Sequence, residues 1–331
     1  MKESPFYIPI INILRGLAAL SVCLYHFVCT TQNFIESELL LDIFYFGQKG
    51  VEVFFIISGI VIPLSMVKAK YTFPLFKQFL LRRFIRIEPP YLGAVILGTL
   101  YLVIRNYIPG TVAIDLSPSI LDFILHLGYL VPFFEGAHWI NSVFWTLSIE
   151  FQFYLFLALA FPLAMSKKLL LRLVFYAIML IGPFFFSDHR FFTFWMAFFF
   201  VGVVYALFKS KSIQSLEFLI AFALALIAVF VNQGLIQASI ACGTIAIIHF
   251  FSAFKNKLGN FLGDISYSLY LLHSIIGAAF VNFLSHYVEQ GIYKFLLIIG
   301  GIAISILSAY FYWKWVERPS QKWSKKIELK R

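Results

Sequence analysis

Ten stretches of almost unbroken apolar residues recur along the chain, near 9–30, 43–65, 84–104, 141–164, 170–187, 191–208, 214–231, 235–252, 262–284 and 292–316, with the charge gathered between them. An α-helix needs about 20 apolar residues to cross the hydrocarbon core of a bilayer. The pattern therefore predicts an all-α, polytopic membrane protein with about ten transmembrane helices. The connecting segments alternate in sign. One set carries Lys68, Lys70, Lys77, Arg82, Arg83 and Arg86, then Lys167, Lys168 and Arg172, then Lys209 and Lys211, Lys255 and Lys257, and a basic tail from Lys314 to Arg331. The other holds Glu36, Glu38 and Asp42, then Asp115, Asp122 and Glu135, then Asp188 and Glu289, with few basic residues. Basic loops stay in the cytoplasm, so both termini are expected there.

Composition narrows this picture without changing it. With 61% hydrophobic and 13% charged residues and a mean hydropathy of +0.88, the chain has no polar skin for a soluble globule. A single transmembrane domain over 1–331 is expected, with no appended soluble domain. The formal charge of +10 is a topology signal and implies no nucleic-acid partner. The first apolar run lacks a small-residue cleavage site and contains Arg15, so it reads as a retained helix, not a signal peptide. Cys23, Cys29 and Cys242 are odd in number and sit in or beside apolar runs, which fits neither a disulfide framework nor a metal cluster. The stretch 116–134, within the long outer loop 105–140, has too few apolar residues between prolines to span and is expected to lie along the outer surface.

Ionisable groups inside such segments carry the chemical information, because each costs at least about 2.5 kcal/mol in the bilayer core. Arg15 and His26 lie eleven residues apart in the first helix, on one face and about 16 Å apart in depth. They mark a polar interior, or they snorkel to the two interfaces. Lys49 and Glu52 share a face at the start of the second helix as an ion pair or as part of a site, and Ser58-Gly59 lie deeper, where a neighbouring helix or a narrow ligand can approach closely. Arg82, Arg83 and Arg86 obey the positive-inside rule and also form a fork for a polyphosphate or an anionic lipid. Pro89-Pro90 follow and must interrupt the helical ladder, exposing backbone groups beside the arginines.

Glu150 sits deep in the fourth helix beside Trp145 and Tyr154, where a carboxylate cannot snorkel. The ninth helix carries Ser266, Tyr267, Tyr270, His273 and Gly277, a stripe that lines a lumen or forms a seam. By topology His26 and Glu150 both fall in the outer half of the membrane. A histidine beside a carboxylate is held in one tautomer and becomes a better base for an attacking hydroxyl.

Taken in order, Arg15 with ten residues before His26, VEVFFIISG at 51–59, RRFIRIEPPY at 82–91, FWTLSIEFQFY at 144–154, GDISYSLYLLH at 263–273 and Glu317-Arg318-Pro319 resemble the acyltransferase-3 family of multipass membrane O-acyltransferases. The resemblance covers nearly the whole chain. It implies transfer of an acyl group, usually acetyl, from acetyl-CoA as co-substrate to a hydroxyl of a surface glycan or lipid-linked glycan, in a bacterial inner membrane and in contact with membrane lipids. No permanently bound cofactor and no metal are implied. The residues matching the family's motifs assign Arg15, His26 and Glu150 to catalysis and Arg82, Arg83 and Arg86 to the CoA phosphates. Glu52, Ser58, Trp145, Tyr154, Tyr267, Tyr270 and His273 are left to line the acceptor path. The rival reading is a secondary transporter or lipid-linked sugar flippase, against which the lack of an internal repeat counts. The soluble-type pattern of His followed four intervening residues later by Asp is absent from the chain.

Overall fold

A computed structural model describes residues 6–31, 34–106, 119–185 and 188–329, with the side chain of residue 106 left aside; Asp115 and the end of the basic tail lie outside the described residues. Fifteen α-helical segments follow in chain order: α1 Pro9–Cys29, α2 Glu38–Tyr45, α3 Gly50–Lys68, α4 Phe76–Asn106, α5 Ile120–Leu127, α6 Trp145–Ala164, α7 Leu169–Phe185, α8 Phe192–Lys209, α9 Ser215–Gln233, α10 Leu235–Phe250, α11 Lys257–Asp264, α12 Ser266–Leu272, α13 Ala279–Ser285, α14 Gly291–Tyr312 and α15 Arg318–Lys326. No strand occurs among the described residues. All ten apolar runs are helical. Among the described residues eight spans are long and apolar enough to cross a membrane, while the fifth and eighth runs form the shorter apolar helices Leu169–Phe185 and Leu235–Phe250.

Close backbone contact holds the centre. α8 is the most enclosed span, with 72% of its apolar window buried, against 22% for α9. It packs most extensively on α3, and the reason is Gly59 facing Gly202. A methyl group on Gly59 would run into the carbonyl of Phe199, and one on Gly202 into the carbonyl of Ile56. Two bare glycines bring the helix axes together, as small residues do in membrane interfaces. On the other side α1 packs on α11, α12 and α14.

The double proline does not break α4, which runs through Pro89 and Pro90 to Asn106. A helical proline removes its own N–H and so frees the carbonyl four residues earlier. Here the freed carbonyls are those of Ile85 and Arg86, and they share the single proton of the buried Ser320 hydroxyl of α15, with Oγ 2.8 Å from the Arg86 oxygen. Tyr267 donates to the next carbonyl, Ile87, at 2.9 Å, and Tyr312 to that of Pro90. The backbone groups expected to lie bare beside the arginines are therefore covered by α12, α14 and α15.

At the opposite end α5 opens with a capping box, in which Ser119 Oγ accepts from the Asp122 N–H at 3.1 Å and the Asp122 carboxylate accepts from the Ser119 N–H at 2.8 Å. Ile120, Leu121, Ile124 and Leu127 stay exposed while Leu125 and His126 are buried, which suits a helix lying at an interface. The fully enclosed His126 ring has fixed partners. Nδ1 donates to the Asp122 carbonyl at 2.6 Å and Nε2 accepts from the Ile140 N–H at 3.3 Å, so the ring is neutral and pins α5 to the start of the α6 region.

Two outcomes follow from these contacts. Ser320→Ala removes the one hydroxyl proton that these two carbonyls share, at a cost of about 1–3 kcal/mol, so thermal unfolding in detergent should begin at lower temperature and trypsin should reach Lys325 and Lys326 sooner; unchanged values would refute this role for Ser320. Burial pushes the His126 pKa below its ordinary value. The stabilisation is complete above the unfolded value of about 6.5 and is lost as pH falls through the lower folded value. Amide exchange across 119–141, corrected for intrinsic rates, should therefore quicken on acidification, and this response should vanish in His126→Gln.

Candidate functional site

A cavity of about 260 Å³ runs between α1, α3, α4, α6, α12 and α15. α3 lines it with Val51, Phe54, Ser58, Val61, Ile62 and Ser65, which recur at helical spacing, together with Phe55 and Ile57. From α4 come Arg82, Arg83, Arg86 and Ile87, from α1 Arg15, and from α15 Ser324 and Lys325. α6 contributes Thr146, Leu147, Glu150 and Tyr154, and α12 contributes Tyr267 and Tyr270.

The charged groups are tied down individually. Arg83 is only 8% exposed. Its Nη2 donates to Ser65 Oγ, and its guanidinium lies 5.4 Å from the Phe79 ring and 5.8 Å from the Tyr154 ring. Glu150 accepts from Ser58 Oγ at 2.8 Å and from the Tyr154 hydroxyl at 2.6 Å, which joins α3 to α6 across the cavity. Arg15 lies within electrostatic reach of Arg86, Glu317, Glu150 and Tyr154. Glu317, 2% exposed, accepts from the Ser268 N–H at 3.2 Å, from Ser268 Oγ at 2.6 Å and from Gln321 Nε2 at 2.7 Å. Four guanidiniums and Lys325 thus face two carboxylates, Glu150 and Glu317. The surplus of fixed positive charge in a low-dielectric cleft suits a polyanion.

Most of the residues singled out in the sequence meet here: Arg15, Ser58, Arg82, Arg83, Arg86, Glu150, Tyr154, Tyr267 and Tyr270 all line the one cavity. Four do not. Glu52 is buried in an ion pair with Lys49 at 3.1 Å; it shares its helix face with Ile56 and Gly59, the face pressed on α8. Trp145 faces a second pocket of about 160 Å³ with Pro132, Trp139, His189 and Arg190, and packs on Trp195 at a ring distance of 5.4 Å.

His26 and His273 lie beyond the wall of the cavity. Tyr270 forms that wall, its hydroxyl donating to the Val143 carbonyl at 3.2 Å and accepting from Thr146 Oγ1 at 2.9 Å. Its ring centre is 5.8 Å from that of His273, which is 5.1 Å from that of His26. Among the described residues no hydrogen bond or ion pair joins His26 to Glu150. Glu150 is held by Ser58 and Tyr154, so the expected His26–Glu150 couple does not form.

Glu317 is the residue that sequence reasoning left without a role. The chain quotes it only as the acid of Glu317-Arg318-Pro319, yet it is the second carboxylate of the cavity. An acid at the end of a long apolar helix, followed by proline, was the available signal; its meaning depends on α15 folding back on α4.

The chain is 26% identical over 372 aligned positions to a Staphylococcus aureus (strain COL) protein named "Putative O-acetyltransferase SACOL0978", an alignment that covers 96% of this chain and 58% of that protein. It is 30% identical over 187 positions to the peptidoglycan O-acetyltransferase OatA of Listeria monocytogenes, covering 52% of this chain and 28% of that one. This chain thus spans little more than half the length of the curated relatives it matches. No solved structure matches it. A family profile described as an acyltransferase domain matches residues 8–314, which include every helix that lines the cavity except α15, and the chain belongs to this acyltransferase-3 family.

Proposed function

We propose that this protein is an integral membrane O-acetyltransferase that moves an acetyl group from acetyl-CoA, entering from the cytoplasm, to a hydroxyl of a carbohydrate on the outer side. The observation that carries this reading is the cavity whose arginines gather at the end flanked by the basic loops. Arg82 and Arg86, half-buried and close to Lys325, take the CoA phosphates. The pantetheine arm passes Arg15 and Glu150 toward Tyr270. The Listeria relative's name gives peptidoglycan as its acceptor; for this chain the class is a surface or lipid-linked glycan.

His26 is the general base in this reading. Its imidazole takes the proton of the acceptor hydroxyl as the oxygen bonds to the acyl carbon, and the carbon–sulfur bond breaks to release CoA thiolate, which the imidazolium reprotonates. His26 stands beyond Tyr270, so donor and base meet only when the Tyr270 side chain swings aside. Glu150 fixes Ser58 and Tyr154 and balances the arginines rather than orienting the base.

Three measurements on purified protein test this. With acetyl-CoA and a peptidoglycan or surface-glycan extract, wild-type protein should release free CoA thiol and produce an acetylated glycan. A transporter or flippase would do neither. His26→Ala should lower turnover by about 100-fold or more, and near-wild-type turnover would refute the base assignment. Arg86→Ala should weaken acetyl-CoA binding by about 10-fold or more, with the wild-type affinity falling as salt rises; an affinity indifferent to both would remove the phosphate site.

A further inference from the structure

His273 is an unusual residue for its surroundings. It is completely buried among apolar groups. Its Nδ1 lies 2.8 Å from the Tyr270 carbonyl and 3.2 Å from that of Leu269. Carbonyl oxygens only accept, so Nδ1 must carry the proton and Nε2 must be a bare lone pair in the neutral ring. That Nε2 is buried and has no hydrogen-bond partner in the protein. An orphaned polar atom of this kind costs about 1–3 kcal/mol and calls for an explanation.

The helix is distorted at this place. Regular α12 gives way to a π-helical turn, His273–Ala278, before α13 resumes, and such turns gather at functional sites. Gly277 in that turn allows the close approach: a side chain there would strike Ser305 Oγ of α14 and the Phe27 ring of α1. The result sets the His273 ring 5.1 Å, centre to centre, from the His26 ring, tilted by 50°. Tyr25 and Tyr270 are the other rings against the pair. Neither histidine has a carboxylate partner among the described residues.

We infer that His273 is the positioning residue of His26, doing the work that sequence spacing assigned to Glu150. This rests on the reading of His26 as base. One N–H of the His26 ring is donated to His273 Nε2, reached by a turn about the last His26 torsion, which is broad for an imidazole. The donated bond fixes the His26 tautomer and leaves its second nitrogen as the lone pair that accepts the proton of the substrate hydroxyl. When His26 is protonated, His273 Nε2 accepts from a cation and the bond strengthens. His273 touches neither donor nor acceptor, because the cavity ends at Tyr270.

Two readouts test the pairing, one of which is independent of turnover. Carbethoxylation of His26 by diethyl pyrocarbonate, followed by mass spectrometry against pH, reports the free lone pair directly. His273→Phe should change the rate at His26 by at least about threefold or displace its pH midpoint, while His273→Gln, whose amide oxygen accepts a hydrogen bond, should stay near wild type. In the thiol-release assay His273→Ala should lose about 100-fold in kcat with KM for acetyl-CoA unchanged, and added imidazole, filling the vacated space, should restore part of it. His26 chemistry and kcat indifferent to His273→Phe would overturn the proposal, as would Gln and Phe variants that behave alike. Acetyl-CoA binding retained at the wild-type level certifies that each variant is folded. Should His26→Ala stay active while the His26 labelling still depends on His273, the base assignment falls and the pairing stands.

Discussion

Pro89 and Pro90 leave two carbonyls without helical partners in the middle of a membrane-length helix, and the last part of the chain is arranged around satisfying them. In hydrocarbon there is no water to accept that task, so each freed group needs a protein donor. Ser320 shares its one hydroxyl proton between them, which fixes α15 along α4. With α15 in place, Ser324 and Lys325 close one side of the cavity and Glu317 comes to rest against Ser268 within reach of Arg15. The prolines thus do not open the arginine cluster to solvent or ligand. They recruit a neighbouring helix, and the cavity wall comes with it.

The same rule governs charge. Arg83 is tolerated at depth because Ser65, Phe79 and Tyr154 surround its guanidinium, and Glu150 because Ser58 and Tyr154 donate to it. Tyr154 serves both, so acid and base are balanced across one phenol ring without a direct salt bridge between them. A direct pair would neutralise the arginine and bar it from a phosphate. Indirect coupling leaves the cavity cationic and still free of an uncompensated carboxylate.

Helix order and most of the cavity were legible in the sequence because hydropathy and the rarity of charge at depth are both local properties. The close packing at Gly59 could be read from the adjacent small residues Ser58-Gly59. What could not be read was which face of a uniformly apolar helix looks inward. α8 and α9 have mean hydropathies of 1.8 and 2.2, yet one is the central post and the other is largely exposed. The same ambiguity misplaced Glu52, one residue along from the cavity-lining Val51 and so about 100° round the helix. His26 and Glu150 were matched by depth, but depth says nothing of which helix stands between them. α12 does, with Tyr270 lining the cavity and His273 one turn further along the same face.

That intervening layer has a chemical logic for the proposed reaction. A thioester held beside an unshielded base and water would be hydrolysed, so an enzyme that delivers acyl groups across a membrane gains by keeping the two apart until an acceptor arrives. Tyr270 is suited to this separation, since its hydroxyl is tied to Val143 and Thr146 at the start of α6, where the helix emerges toward the outer loops. Trp145, the neighbour of Thr146, lines the separate outer pocket. An acceptor pressing on the Trp145 side would act on the turn that anchors Tyr270.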